Sequence, residues 1–379
     1  MTHPARALHC PRIVSDTSTR GRGLVIRVIH IGVSVKAKGG VASVIGSLLT
    51  ELGRDPDFRA SAIATTMWNE RGAGYDVLMG LTAFVRTALA CFRSPRPILH
   101  LHMSSHGSAL RKGFIARFAR LVRVPCVVHD HNVQKYFNET SRAMRWWIRG
   151  TFRRANAVVT ITDREREFVR SLTAAPVETV RNAIYLPAPI GRPLAATDQN
   201  VHFLFLGKLM EAKGIFDLLE AFALLSRTNR AISLTLAGNG AVERVREWAR
   251  TRNLQDRIEV PGWVEGEEKD RLLRAADVVV LPSYKEGLPV AVIEAMAYGL
   301  PVIAAAVGGI PEMVVENETG LLVKPRDVNG LVEAMRRLAS DPQMRHRFGF
   351  AARKKAEDSY SLPSVCARLK EIYRKLVAT

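Results

Sequence analysis

Two carboxylates, Glu286 and Glu294, stand with seven residues between them in the stretch 282–311, PSYKEGLPVAVIEAMAYGLPVIAAAVGGIP. The run Asp277 to Leu281 just before is short, β-branched and bounded by Pro282, the pattern of a buried parallel strand. Gly287 and Pro289 then turn the chain and open a helix through Tyr298, because proline suits the first helical position and Ala291, Glu294, Ala295, Met296 and Ala297 are compatible with helix. Glu286 therefore falls in a loop at the carboxyl end of a strand, and Glu294 on the helix that follows. Ligands gather in such crevices of open α/β sheets, and a helix start there offers unpaired N–H groups and a positive dipole end to phosphate. A nucleotide diphosphate fits that description. A second strand, Pro301 to Ala305, leads into Gly308-Gly309, where backbone amides can approach a ligand closely. Taken one at a time, the same residues also read as a solvated loop carboxylate, a helix charge and turn glycines.

Three further groups extend the pattern. Val25 to Gly32 is a Val- and Ile-rich strand, and Gly39-Gly40 opens the helix Ala42 to Leu52, which is a place for an anion or simply a tight turn. The long GxGxxG fingerprint is absent. Val201 to Gly207 is an apolar strand followed by Lys208 and Lys213, beside Gly214 and ahead of the helix Ile215 to Ser226. Two such lysines can neutralise a diphosphate as point charges. The strand Cys126 to His129 ends in His129-Asp130-His131-Asn132, which invites a metal reading; no other cluster has the spacing to complete a site, so no metal is expected, and histidines hydrogen-bonded at a strand end are the alternative.

Strands at Ser61 to Thr65, Ile98 to His102, Val177 to Asn182, Ser233 to Gly240 and Ile258 to Val264, with helices between them, complete the alternation of a doubly wound α/β protein. The 379 residues suffice for two domains: 25–190, then 191–361 after a proline-containing linker, Ala183 to Asn200, with a last helix from Leu362 in the segment 362–379. Residues 1–24 carry Arg6, Arg12, Arg20 and Arg22 among Ser, Thr and Pro and read as a disordered basic tail without a signal-peptide core. No apolar run reaches the length of a membrane span. Four scattered cysteines, Cys10, Cys91, Cys126 and Cys366, point to a reducing compartment, the cytoplasm.

Charge is uneven. Residues 1–190 hold 28 Lys and Arg against 12 Asp and Glu, a net +16 of the chain's +19. That field favours anionic partners. Two basic segments, 111–123 and 142–154, set Phe114, Phe118 and Leu121, or Met144, Trp147, Ile148 and Phe152, beside stripes of arginine. Such helices suit an anionic lipid surface, or a core face with a solvated basic side.

The Glu286-x7-Glu294 spacing and the loop Gly308-Gly309-Ile310-Pro311-Glu312 resemble the retaining nucleotide-sugar glycosyltransferases of family four, and the likeness runs from Val25 to the C-terminus. The resemblance implies the GT-B architecture, two Rossmann-like domains facing across a cleft, the last helix crossing back to the first. It implies a hexosyltransferase working with retention and without metal or other cofactor, on a nucleotide diphospho-sugar donor. By it, Glu286 holds the donor sugar with the loop Gly287-Leu288, Glu294 binds the ribose hydroxyls, and His131 faces the sugar. Gly39, Gly40, Lys208 and Lys213 take the diphosphate, with Lys208 standing where the family has arginine, and the region of Trp263 lies beside the base. The basic first domain adds the expectation of a lipid-linked or glycan acceptor in cell-surface or exopolysaccharide synthesis, peripherally on the inner face of the cytoplasmic membrane. A nucleotide-sugar epimerase is the alternative. A nucleic-acid binder explains the charge but lacks any recognisable nucleic-acid module.

Overall fold

The computed structural model describes residues 25–37, 39–66, 72–189 and 200–378. The basic tail, 1–24, and residues 190–199 of the expected linker lie outside them.

The first half comprises β1 (Ile26–Val33), α1 (Gly40–Leu52), β2 (Phe58–Thr66), α2 (Gly72–Cys91), β3 (Ile98–Met103), α3 (His106–Leu121), β4 (Cys126–Asp130), α4 (Val133–Asn138), α5 (Arg142–Phe152), β5 (Ala157–Thr160), α6 (Asp163–Arg170) and β6 (Val177–Thr179). The second comprises β7 (Val201–Leu206), α7 (Ile215–Ser226), β8 (Ile232–Ala237), α8 (Val242–Arg250), β9 (Ile258–Gly262), α9 (Gly266–Ala275), β10 (Val278–Leu281), α10 (Val290–Ala297), β11 (Val302–Ala305), α11 (Ile310–Met313), β12 (Gly320–Val323), α12 (Val328–Ser340), α13 (Pro342–Tyr360) and α14 (Leu362–Ala378).

Each half is a six-stranded sheet with every pairing parallel, ordered β2-β1-β3-β4-β5-β6 and β12-β11-β10-β7-β8-β9. Parallel strands covered by helices on both faces are apolar throughout, which is why Val278–Leu281 and Val302–Ala305 are buried at every position. The winding direction reverses between β1 and β3 in the first sheet and between β7 and β10 in the second. At such switch points the outgoing loops diverge and leave a crevice at the strands' carboxyl ends. The loops that carry Lys208, Lys213 and Glu286 flank the second of these points.

α14 packs on the first sheet: Leu362, Cys366, Leu369 and Tyr373 share one buried cluster with Val28, Val127 and Val159. Ion pairs Lys370–Asp55 (2.8 Å) and Arg368–Glu178 (3.0 Å) border it.

The two basic helices differ in part from their sequence reading. Ile148 and Phe152 are buried, but Arg117 does not face outward freely: its guanidinium lies 3.5 Å over the Trp147 ring and donates to the Gly113 carbonyl, joining α3 to α5. Arg145 donates to the carbonyls of Phe137 and Asn138. Strand β6 stops at Thr179, short of the expected Asn182, because Asn182 turns away and donates to the Leu288 carbonyl in the other half.

Candidate active site

Glu286 lies in the loop after β10 and Lys213 ends a 3₁₀ turn in the loop after β7, so the reversal in strand order brings them together from 73 positions apart. Lys213 Nζ donates to Glu286 Oε1 at 2.6 Å, with the glutamate side chain only 9% exposed. Glu294, one turn into α10, accepts from Lys269 Nζ of α9 at 2.6 Å. Lys208 is exposed beside the same loop. The Glu286 loop is held in place by a glycine: Gly308 has φ +57°, and a Cβ there would collide with the Glu286 carbonyl, while Gly309 N–H donates to the Gly287 carbonyl at 2.7 Å.

From the other half, Gly39 (φ +154°, a conformation that needs glycine) starts α1, and Gly40 would place a Cβ 3.6 Å from Val290 at the start of α10. Two helix N-termini of different domains thus meet at one place, and among the described residues no side chain caps either of them. The domains also touch directly. Glu312 accepts from the N–H groups of Asp163 (3.0 Å) and Arg164 (3.1 Å) at the start of α6, and Lys285 pairs with Glu139 at 2.8 Å. Between them lies a cleft of ≈ 260 Å³ lined by Asn132, Thr162, Glu165, Glu286, Gly287 and Gly308. A larger hollow of ≈ 730 Å³ sits beside β8 and β9, remote from these groups, and its size alone gives it no chemistry.

His131 follows β4, and its N–H donates to the Met103 carbonyl. It belongs to a buried set of five histidines: His30 on β1, His100 and His102 on β3, His129 and His131. Burial lowers all five pKa values, to about 3 for His30 and His131, so each ring is neutral at pH 7. Nitrogens of His30, His100 and His102, and of His102, His129 and His131, lie within 4.8 Å of one another, so the ligand cluster that the sequence did not supply is assembled by the sheet. Glu165, which lines the cleft, has its carboxyl pushed up to about 9 by burial and by neighbouring Asp130 and Glu312. Asp130, accepting from Tyr136 and from Val133 N–H, is raised to about 7 by burial.

Sequence reasoning missed Lys269, Glu165, His30, His100 and His102. A local signal existed for the histidines on β3 and β4: His-x-His at alternate positions of otherwise apolar strands puts both rings on one face. Lys269 had no local signal, since its partner lies 25 residues away on another element.

Two family models match this chain: residues 37–183 match a glycosyl transferase 4-like domain and residues 192–355 match glycosyl transferases group 1. Together with the two facing Rossmann-like domains, these matches place the chain among the GT-B glycosyltransferases. It is similar to the alpha-D-kanosaminyltransferase of Streptomyces kanamyceticus, 27% identical over 300 residues, which are 73% of this chain and 77% of that one. It is also 34% identical over 160 residues to a putative colanic acid biosynthesis glycosyltransferase, WcaL, of Escherichia coli K12, covering 40% of this chain and 39% of that relative. The structure of Anabaena HepE in complex with UDP and glucose superposes with a TM-score of 0.72 at 16% identity, over 92% of this chain and all of that one.

Proposed function

We propose that the protein transfers a hexose, with retention, from a nucleotide diphospho-sugar to a lipid-linked or glycan acceptor at an anionic membrane surface, in cell-surface or exopolysaccharide synthesis. The observation that carries the reading is the Lys213–Glu286 pair at the switch point of the second sheet, opposite the start of α1. The donor diphosphate lies between the N–H groups at Gly39-Gly40 and those at the start of α10, with Lys213 and Lys208 neutralising the charge that develops as the bond to the sugar breaks. Glu286 accepts from sugar hydroxyls beside Gly287 and Leu288, Glu294 accepts from both ribose hydroxyls, and His131 contacts the sugar. The acceptor oxygen attacks the anomeric carbon from the face the diphosphate leaves, and its proton passes to the departing phosphate oxygen. Metal is not required in this scheme, because lysines and helix termini supply the positive charge. An enzyme of this kind releases nucleotide only when acceptor lipid or glycan is added. Conversion of the donor sugar without any acceptor, followed by chromatography of the nucleotide sugars, would instead establish the epimerase.

The membrane part of the reading is supported by a surface. Helices α2, α3 and α5 lie side by side on one face of the first sheet, and their exposed positions include Leu78, Leu81, Val85, Leu89 and Phe92 from α2 and its end, Phe114 and Leu121 from α3, and Trp146 from α5. Solvated helices do not normally show such an outer stripe. Residues 72–123 contain eight Lys and Arg, among them Arg86, Arg93, Arg120 and Arg123, against the single acid Asp76. An apolar face rimmed by cations is complementary to anionic lipid. Among the described residues no helix is long and apolar enough to cross a membrane, so the contact is peripheral. The purified protein is expected to sediment with phosphatidylglycerol vesicles at low salt, and Leu81→Asp with Phe92→Asp to weaken this about tenfold or more. Sedimentation unchanged by the pair of substitutions, or a dimer in gel filtration that the pair dissolves, would contradict it.

A further inference from the structure

We propose that His30 and His102 are positioning residues that fix the proton of His131 on Nδ1, so that His131 meets the sugar as a neutral hydrogen-bond donor. The sugar's part in this statement rests on the transferase reading above; the proton's location does not.

The five histidines form two hydrogen-bonded rows. In the first, His30 Nδ1 meets His102 Nε2 at 2.9 Å, and His102 Nδ1 meets His131 Nε2 at 3.0 Å. In the second, Tyr373 OH meets His100 Nδ1 at 2.6 Å, and His100 Nε2 meets His129 Nδ1 at 3.0 Å. Ring stacking joins the rows, with His30 over His100 at 4.7 Å and His129 over His131 at 4.4 Å between centroids. The first row fits because Gly32, next along the same face of β1, has no side chain; a Cβ there would lie 3.3 Å from His102 Cβ and collide with Ile45.

A neutral imidazole has one N–H and one bare nitrogen, so each link in a row fixes the next ring's tautomer. Only two arrangements of the first row satisfy both links. If His131 carries its proton on Nε2 and donates to His102, then His102 donates to His30, and His30 must hold its N–H on Nε2. That atom is fully buried, with no hydrogen-bond partner among the described residues. If the row runs the other way, His30 donates to His102, His102 donates to His131, and the atom left unpaired is a bare nitrogen. A buried N–H without an acceptor is the rarer defect in folded proteins, so the second direction holds. It leaves His131 with Nε2 occupied by His102 and with its proton on Nδ1, the nitrogen available to a ligand. Neutrality is maintained by burial and by the neighbouring Lys112, which disfavours a charge on His131.

The row's direction can be reversed from its far end. In His30→Asp, read at about pH 9 so that the buried carboxyl is ionised, Oδ1 stands where Nδ1 stood and can only accept. His102 must then donate from Nε2 and His131 from its own Nε2, leaving His131 Nδ1 bare. Long-range ¹H–¹⁵N spectra of ¹⁵N-histidine-labelled protein, with His131 assigned by its loss in His131→Gln, read this directly. Expected are a neutral Nδ1–H tautomer for His131 in the parent and an Nε2–H tautomer in His30→Asp, with turnover about tenfold lower and nucleotide affinity unchanged in the variant. An Nε2–H tautomer in the parent, an unmoved signal in a folded His30→Asp protein, or one equivalent of transition metal in the purified chain would overturn it. If His30→Asp does not fold, the parent spectrum decides alone. Since the spectra need no substrate, a correct tautomer in a protein without transfer activity would refute only the transferase reading.

Discussion

Lowering the pH from 7 to 4 is expected to unfold this protein over a narrow range, more steeply than ordinary acid denaturation. His30, His100, His102, His129 and His131 are neutral in the folded chain because burial depresses their pKa values, whereas in the unfolded chain each titrates near 6.5. Below about pH 6.5 the unfolded state therefore binds more protons, and stability falls with pH at about 1.4 kcal/mol per pH unit for each histidine. Glu165 and Asp130 work in the opposite sense. Their folded pKa values, about 9 and about 7, lie above the unfolded ones, so protonation as pH falls favours the folded chain until the unfolded carboxyls also titrate. Two protons set against five leave a net loss of about 4 kcal/mol per pH unit, against a usual total stability of roughly 5–15 kcal/mol. Urea midpoints measured from pH 7 to pH 4 are expected to collapse between about pH 6 and pH 4. A midpoint that holds steady over that interval would show that the histidines are not buried as a group.

Glu286→Gln and Glu294→Ala are expected to fail in different ways. In the proposed scheme Glu286 binds the sugar, and its carboxylate pairs with Lys213, so the amide removes charge where the transition state needs it and leaves the nucleotide's own contacts intact. Turnover should fall about 100-fold, ~2.7 kcal/mol, with nucleotide affinity nearly unchanged. Glu294 touches only the ribose in this scheme. Its loss removes two hydrogen bonds to a charged group and should weaken nucleotide binding by roughly 30- to 100-fold. Lys269, left without its partner, is 34% exposed and remains solvated, so the fold is not expected to suffer. Equal losses of affinity in both variants would mean that the two carboxylates do not divide sugar from ribose.

Legibility followed sequence distance. The strands were readable because parallel strands buried on both faces are continuous apolar runs, and Glu286 and Glu294 because eight residues span one strand-to-helix turn. Even there the helix proved to start at Val290, one residue after the proline. What could not be read depended on register between distant segments. His30 faces His100 across β1 and β3, and His102 faces His129 across β3 and β4, and only these pairings turn five scattered histidines into two rows. Glu312 is legible as part of a loop, but its hold on the start of α6 joins residues 149 apart. The outer stripe of α2 escaped because the helix is apolar on nearly every side, so its periodicity does not say which side the sheet will cover.

The central claim is that the switch point of the second sheet binds a nucleotide diphospho-sugar. It is tested most directly by calorimetric titration of the purified chain, and of Glu294→Ala, with UDP, GDP and their common sugar conjugates. Micromolar affinity for one nucleotide family, weakened roughly 30- to 100-fold in Glu294→Ala while the variant keeps the parent's melting temperature, is the predicted result. Absence of binding to every nucleotide, or undiminished binding in the variant, would contradict it.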